Sequence, residues 1–167
     1  IGMAIVGEIS ALRAVLEATR VARELTAARD FETGAHLERM ARYSRVIARD
    51  IAASHGKDDE FVESVYLFAS LHDIGKIGIP DSVLLKKGRH DPAETAIMRT
   101  HVALGVQIID RIVGDPQHPK LPDSAILRNI VQCHHEYLDG SGYPHGLCGD
   151  AIPLEARIVT VADIFDA

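Results

Sequence analysis

Along nearly the whole chain apolar residues recur three and four apart, and alternation at period two is scarce, so the sequence predicts an all-α domain. That periodicity places histidines and acids on the apolar stripes. Glu32 and His36 stand four apart and share a helix face that Met40, Tyr43 and Ile47 continue. His72 continues the stripe of Phe61, Val65 and Phe68, and His101 falls between Ile97, Leu104 and Ile108 at stripe spacing. His134 follows Leu127 and Ile130, and Asp163 follows Val159. Five predicted helices therefore each bring a metal-competent group to an inward face. A buried carboxylate without a partner is destabilising by several kcal/mol, and Glu32, Asp73 and Asp163 all require such compensation. Cations supply it. Imidazole and carboxylate ligands suit Zn, Mn or Fe, and a chain with two cysteines does not offer a thiolate site.

For a single histidine on an apolar stripe the ordinary explanation is a hydrogen-bonded core residue. The adjacent pairs His72-Asp73 and His134-His135 weaken that explanation. Helix neighbours point about 100° apart. Each pair can still serve one cluster if its first residue reaches one ion and its second a neighbouring ion. One polynuclear site is favoured over four separate pockets. His55, His90, His118 and His145 fall at helix ends or in loops and are assigned no ligand role. Cys133 reads as a small core hydrophobe, and Cys148 has no partner.

The helices are expected over 1–28, 31–55, 58–73, 91–112, 123–137 and 153–167, with glycine-containing loops at 74–90 and 138–152. Asp91-Pro92-Ala93-Glu94 is a clear helix start: a capping acid, a first-turn proline and a reciprocating glutamate. In the first helix Ile5, Ile9, Leu12, Leu16 and Thr19 form a short heptad seam. It packs on its own domain, or forms a parallel homodimer seam, or links to an upstream domain. The 167 residues suffice for one domain plus such an extension, and a start at Ile1 with no signal-peptide pattern reads as a piece cut from a longer chain. A formal charge of −6 with 5% aromatics makes the chain a poor candidate for a DNA-backbone binder or a base-stacking platform. No apolar run approaches the roughly 20 residues of a membrane span. Few cysteines point to a reducing cytoplasm.

His72-Asp73-Ile74-Gly75-Lys76-Ile77-Gly78-Ile79-Pro80-Asp81 resembles the signature of the HD-domain phosphohydrolases. His134-His135-Glu136, followed by Asp139-Gly140-Ser141-Gly142-Tyr143-Pro144, resembles the HD-GYP subfamily. Glu32-Thr33-Gly34-Ala35-His36 and the run Val161–Ala167 fit the same pattern in the same order. The resemblance covers about residues 27–167 and implies a linker or dimerisation helix over 1–27 and an HD-GYP helical bundle over 28–167. It implies bacterial signalling through metal-dependent hydrolysis of cyclic di-GMP to linear pGpG, with some members continuing to GMP. By the same resemblance the metal ligands are Glu32, His36, His72, Asp73, His101, His134, His135 and Asp163. Asp73 bridges two ions and Lys76 holds a phosphate oxygen. Tyr143 touches the nucleotide, or its loop serves for shape or as a partner surface. Two or three divalent ions are implied, Fe or Mn foremost and Zn or Ni as alternatives. An upstream sensory or receiver domain and a diguanylate-cyclase domain are implied partners.

The sequence departs from the family pattern at Lys86-Lys87-Gly88, where a central proline is usual, and at Val102, where a proline is common. The family also runs on past the position of Ala167, with basic residues that grip the substrate. Glu32, Asp73 and Asp163 together carry about −3, which would repel a dianionic dinucleotide; two ions with a bridging hydroxide bring the site to about 0 and three to about +2. The expected chemistry is in-line attack by a metal-activated hydroxide, with Lys76 and the ions stabilising the developing charge. A non-catalytic module that binds cyclic di-GMP or a cyclase domain is the alternative. Within enzymes the rivals are a nucleotidase and a phosphodiesterase for another cyclic dinucleotide.

Overall fold

The computed structural model describes residues 34–114 and 123–167, together with Val21 and Glu24. The described residues are mostly helical and contain no strand; an isolated bridge joins Asp139 to Cys148. The all-α expectation holds. Apart from helical Val21 and Glu24, the first expected helix with its seam lies outside the described residues, as do Glu32 and His118.

Helix α1, Gly34–Ile51, buries Leu37, Met40, Ala41, Ser44 and Ala48, a stripe at helical spacing. Helix α2, Asp59–Ala69, is capped by Asp58, whose carboxylate accepts the Phe61 N–H at 3.0 Å. Asp59 and Glu60 in its first turn complement the positive end of the helix dipole. It is central, as its nearly all-round apolar character predicts: Phe61, Val62, Val65, Phe68 and Ala69 are all buried. Burying one such large side chain contributes roughly 1.5–3 kcal/mol.

Helix α2 ends at Ala69 rather than at Asp73. Beyond it the chain tightens: Leu71 N–H donates to Phe68 O, His72 N–H to Ala69 O and Ile74 N–H to Leu71 O. A 3₁₀ segment, Ile74–Gly78, then lies against a later helix, and only glycine permits that approach. A Cβ on Gly75 would stand 1.8 Å from the His101 carbonyl oxygen and 2.5 Å from the Gly105 nitrogen. The stretch 74–90, expected as a loop, also forms the short helix α3, Asp81–Leu84. Ile79, Val83 and Leu84 make a small core there with Met98 and Leu104.

The helix expected over 91–112 is two helices. Helix α4, Pro92–Arg99, starts with the predicted reciprocal cap, the Asp91 carboxylate taking the Glu94 N–H and the Glu94 carboxylate the Asp91 N–H. The break falls at Thr100, whose hydroxyl donates to the Ile97 carbonyl at 2.6 Å and competes with the backbone ladder. Helix α5, His101–Gly114, follows, then α6, Ser124–Cys133, and α7, Leu154–Asp166. Helix α1 packs on α2 and α7, and α6 packs on α2, α5 and α7. Their shared core includes Met40, Val65, Phe68, Ile109, Ile130 and Val159. No described helix is long and apolar enough to cross a membrane.

Candidate metal centre

Three helices end at the same place. His72 lies just past α2, His101 just past α4, and His134 just past α6. The terminal carbonyls of a helix have no intrahelical donor. Here imidazoles supply donors: His72 Nδ1–H to Ala69 O at 2.9 Å, His101 Nδ1–H to Met98 O at 2.7 Å, and His134 Nδ1–H to Val131 O at 3.1 Å. Each histidine reaches the carbonyl three residues before it. With Nδ1 protonated, a neutral ring presents Nε2 as a lone pair, the form that binds metal. The negative ends of α2, α4 and α6 bear on this spot and favour a cation there, opposed by the positive end of α5, which opens at His101.

The Nε2 atoms converge on Asp73. His101 Nε2 stands 3.0 Å and His134 Nε2 3.3 Å from Asp73 Oδ1, and His72 Nε2 stands 3.1 Å from Oδ2. His101 and His134 approach each other to 3.4 Å at Nε2. One ligand atom from each of Asp73, His101, His134 and His135 fits within a 4.8 Å span. Both adjacent pairs lie in tightened turns beyond helix ends, not on helices. His72 and Asp73 therefore face each other across one site; the 100° divergence expected of helical neighbours does not apply to them.

The electrostatics of this group fit divalent cations. Burial opposes charge on Asp73, and the adjacent His72, with the His101 and His134 rings, outweighs it and holds the carboxyl well below its ordinary range. Yet burial also drives His134 below its ordinary value, and His135 down to about 2 through burial and the neighbouring His134. The carboxylate calls for positive neighbours, while two of the rings beside it are driven neutral. Asp73 Oδ1 is moreover fully enclosed and receives no well-aligned hydrogen bond. Cations among these oxygens and lone pairs satisfy both demands. Lys76 Nζ supplies one positive charge, 2.9 Å from Asp73 Oδ2.

A second group adjoins the first. Asp163 Oδ1 lies 3.9 Å from His72 Nε2 and 3.4 Å from His36 Nε2. His36 is oriented from behind, its Nδ1 lying 2.7 Å from Asp166 Oδ2. Asp166 is itself gripped by Arg39 through two bonds of 2.8 Å. That guanidinium, helped by His36, holds the Asp166 carboxyl below its ordinary range. Neither Asp166 nor Arg39 stood out in the sequence, although Asp166 lies one turn beyond Asp163.

The loop after α6 is built onto the same cluster. Tyr143 N–H donates to the His135 carbonyl at 3.0 Å, and the Tyr143 ring stacks on His135 with centroids 4.6 Å apart. Glu136, 2% exposed, accepts the N–H groups of His145 at 2.7 Å and Leu147 at 2.9 Å. The Thr160 hydroxyl, 2.7 Å from the His134 carbonyl, ties α7 to this turn. Of the cysteines, Cys133 is buried, which pushes its thiol up to about 11, and Cys148 donates to Leu138 O.

The family model described as "HD domain" matches residues 21–167, and the His72-Asp73 pair that carries the two letters sits at the centre of the cluster. This chain belongs to the HD-domain family. Among relatives of this HD domain, the "cyclic di-GMP phosphodiesterase response regulator RpfG" of Xanthomonas campestris is 45% identical over 139 residues, covering 83% of this chain and 34% of the relative. A "cyclic di-GMP phosphodiesterase" of Thermotoga maritima is 41% identical over 156 residues, covering 92% of this chain and 39% of its own length. A "3'3'-cGAMP-specific phosphodiesterase 2" of Vibrio cholerae is 41% identical over 140 residues, covering 84% and 25%. The HD domain described here thus spans well under half of each relative.

Proposed function

We propose that this HD domain is a metal-dependent phosphodiesterase that opens cyclic di-GMP to linear pGpG, with GMP as the product of any second cut. The observation that carries this reading is the Asp73 carboxylate ringed by imidazole lone pairs at three helix ends, its enclosed Oδ1 facing His101 and His134 and its Oδ2 facing His72. The names of the relatives support the substrate class.

In this reading Asp73, His72, His101, His134 and His135 hold one part of a polynuclear centre, and His36 and Asp163, with Glu32, hold the rest. Two or three divalent ions fit the donor set, Fe or Mn first and Zn or Ni as alternatives. Such ions supply Lewis-acid polarisation of a phosphoryl oxygen and a water acidic enough to deprotonate near neutrality. Lys76 bears on a phosphate oxygen and offsets charge as it develops during attack. Asp166 and the three helix-end carbonyls keep the ring protons on Nδ1, away from the centre. The reading implies a cytoplasmic bacterial signalling protein with an upstream sensory or receiver domain, and a cyclase domain or a second copy of the chain as partners.

The similarity to a 3'3'-cGAMP-specific enzyme favours a second reading in which a mixed cyclic dinucleotide is the substrate. A non-catalytic binding module has less support, because a sensor has no need of so large a ligand set. Anaerobic purification, elemental analysis and turnover of cyclic di-GMP and 3'3'-cGAMP with each metal restored test all three. Metal-dependent pGpG formation supports the first reading; metal binding without turnover of either dinucleotide contradicts it.

A further inference from the structure

Tyr143 is flanked by two partners. His135 stacks on its ring at 4.6 Å between centroids, and the Arg99 guanidinium carbon lies over the ring, 4.6 Å from the centroid. With both groups this close, little of the ring face is left for a nucleobase. The group presented outward at this corner is Arg99, which is exposed.

Arg99 differs from most of the arginines on the described helices. Arg39, Arg42, Arg45, Arg128 and Arg157 each sit on a carboxylate. Arg99 has no acidic partner among the described residues, and its contact is the Tyr143 ring. A guanidinium stacked on an aromatic ring keeps its in-plane N–H groups free, and that fork matches two oxygens of a phosphate. Its placement is fixed twice. Arg99 is the last residue of α4, two before His101, whose Nε2 lies 3.0 Å from Asp73 Oδ1. Through Tyr143 it is also linked to His135, a member of the same cluster. Lys76 is drawn inward onto Asp73, so Arg99 is the outer cation of the pair. In a chain of net charge −6 such a cation bears directly on whether an anion can approach.

We infer that Arg99 is a substrate-binding residue whose guanidinium grips a phosphodiester oxygen of the substrate, with Tyr143 as the platform that holds it in place. This rests on the proposed cyclic dinucleotide phosphodiesterase reading. The test uses the metal-loaded protein and two readouts: equilibrium binding of the hydrolysis-resistant bis-phosphorothioate analogue of cyclic di-GMP, and turnover of cyclic di-GMP itself. Arg99→Gln is expected to weaken binding about tenfold, as for loss of one charge-assisted hydrogen bond, and to raise KM more than it lowers kcat. Arg99→Lys, which keeps the charge without the fork, should fall between. Metal content and thermal midpoint should match the wild type. Arg111→Gln, at the other end of α5, removes the same charge and should bind as the wild type does. Unchanged binding in Arg99→Gln, or an equal loss in Arg111→Gln, overturns the role of Arg99 and leaves the enzymatic reading standing. Binding without turnover in the wild type contradicts the enzymatic reading, while the Arg99 comparison is still decided by binding. No binding by the wild type contradicts both.

Discussion

Asp166 Oδ2 lies 2.7 Å from His36 Nδ1, and the opposite ring nitrogen of His36 faces Asp163 Oδ1 at 3.4 Å. A carboxylate behind a histidine fixes the tautomer and raises the basicity of the nitrogen in front. Asp166→Asn is therefore expected to lower affinity for an ion held by His36 and Asp163 by about tenfold to a hundredfold. Competition titration with a chelator checks it, and ions held around Asp73 should be unaffected. Equal loss at every site would mean that Asp166 acts through the fold instead.

Gly142 is packed where no side chain fits. A Cβ there would stand 2.4 Å from the His135 carbonyl oxygen and 2.5 Å from both Glu136 Cα and Tyr137 N. All three atoms are backbone and cannot swing aside. Gly142→Ala should destabilise the fold by about 1–3 kcal/mol, as overpacking does. Urea denaturation gives the number, with Gly34→Ala, where a Cβ meets nothing within 4 Å, as the control.

The candidate metal centre and the fold were legible in the sequence to different degrees. The 3.6-residue periodicity gave the helices, and the cap at Asp91 and Glu94 was readable residue by residue because it is local chemistry. The break at Thr100 was not readable, since a threonine inside an apolar stripe is ordinary until its hydroxyl takes the Ile97 carbonyl. The core formed by Ile79, Val83 and Leu84 was hidden because its partners Met98 and Leu104 lie on later helices. Histidine spacing pointed to one cluster. What spacing could not show is that His72-Asp73 and His134-His135 sit in turns past helix ends, because that depends on where tertiary packing stops each helix. Arg39 and Arg99 were missed because surface charge is common, and Asp166 because its partners His36 and Arg39 lie at the other end of the chain.

Glu136 holds the loop after α6 by accepting two backbone N–H groups in a buried position. Glutamine can accept one and must point an N–H₂ donor at the other. Glu136→Gln should therefore lose about 1–3 kcal/mol, the range for a buried donor left unsatisfied. Hydrogen exchange at the His145 and Leu147 amides should accelerate while amides in α2 keep their protection.

The cap of α4 carries its own pH signature. The Glu94 backbone N–H holds Asp91 below its ordinary value, and the Lys86 ammonium, then the Asp91 N–H, hold Glu94 below its own. In the unfolded chain these groups titrate near about 3.9 and 4.3. Folded values below those mean that the cap stabilises fully above the unfolded values and is lost as pH falls through the folded ones. Protection of the Glu94 amide should therefore decline below about pH 4, and Asp91→Ala should remove that dependence.

Asp73 joins the ends of α2, α4 and α6 through three imidazoles, so its charge is the term on which cation binding turns. The decisive measurement is the metal content of the folded protein after dialysis against Mn²⁺, compared between wild type and Asp73→Asn. The wild type is expected to retain two or three ions per chain, and Asp73→Asn, still folded by circular dichroism, to lose those held around residue 73. A wild type that retains no ion, or an Asp73→Asn protein that retains the full complement, would contradict the account.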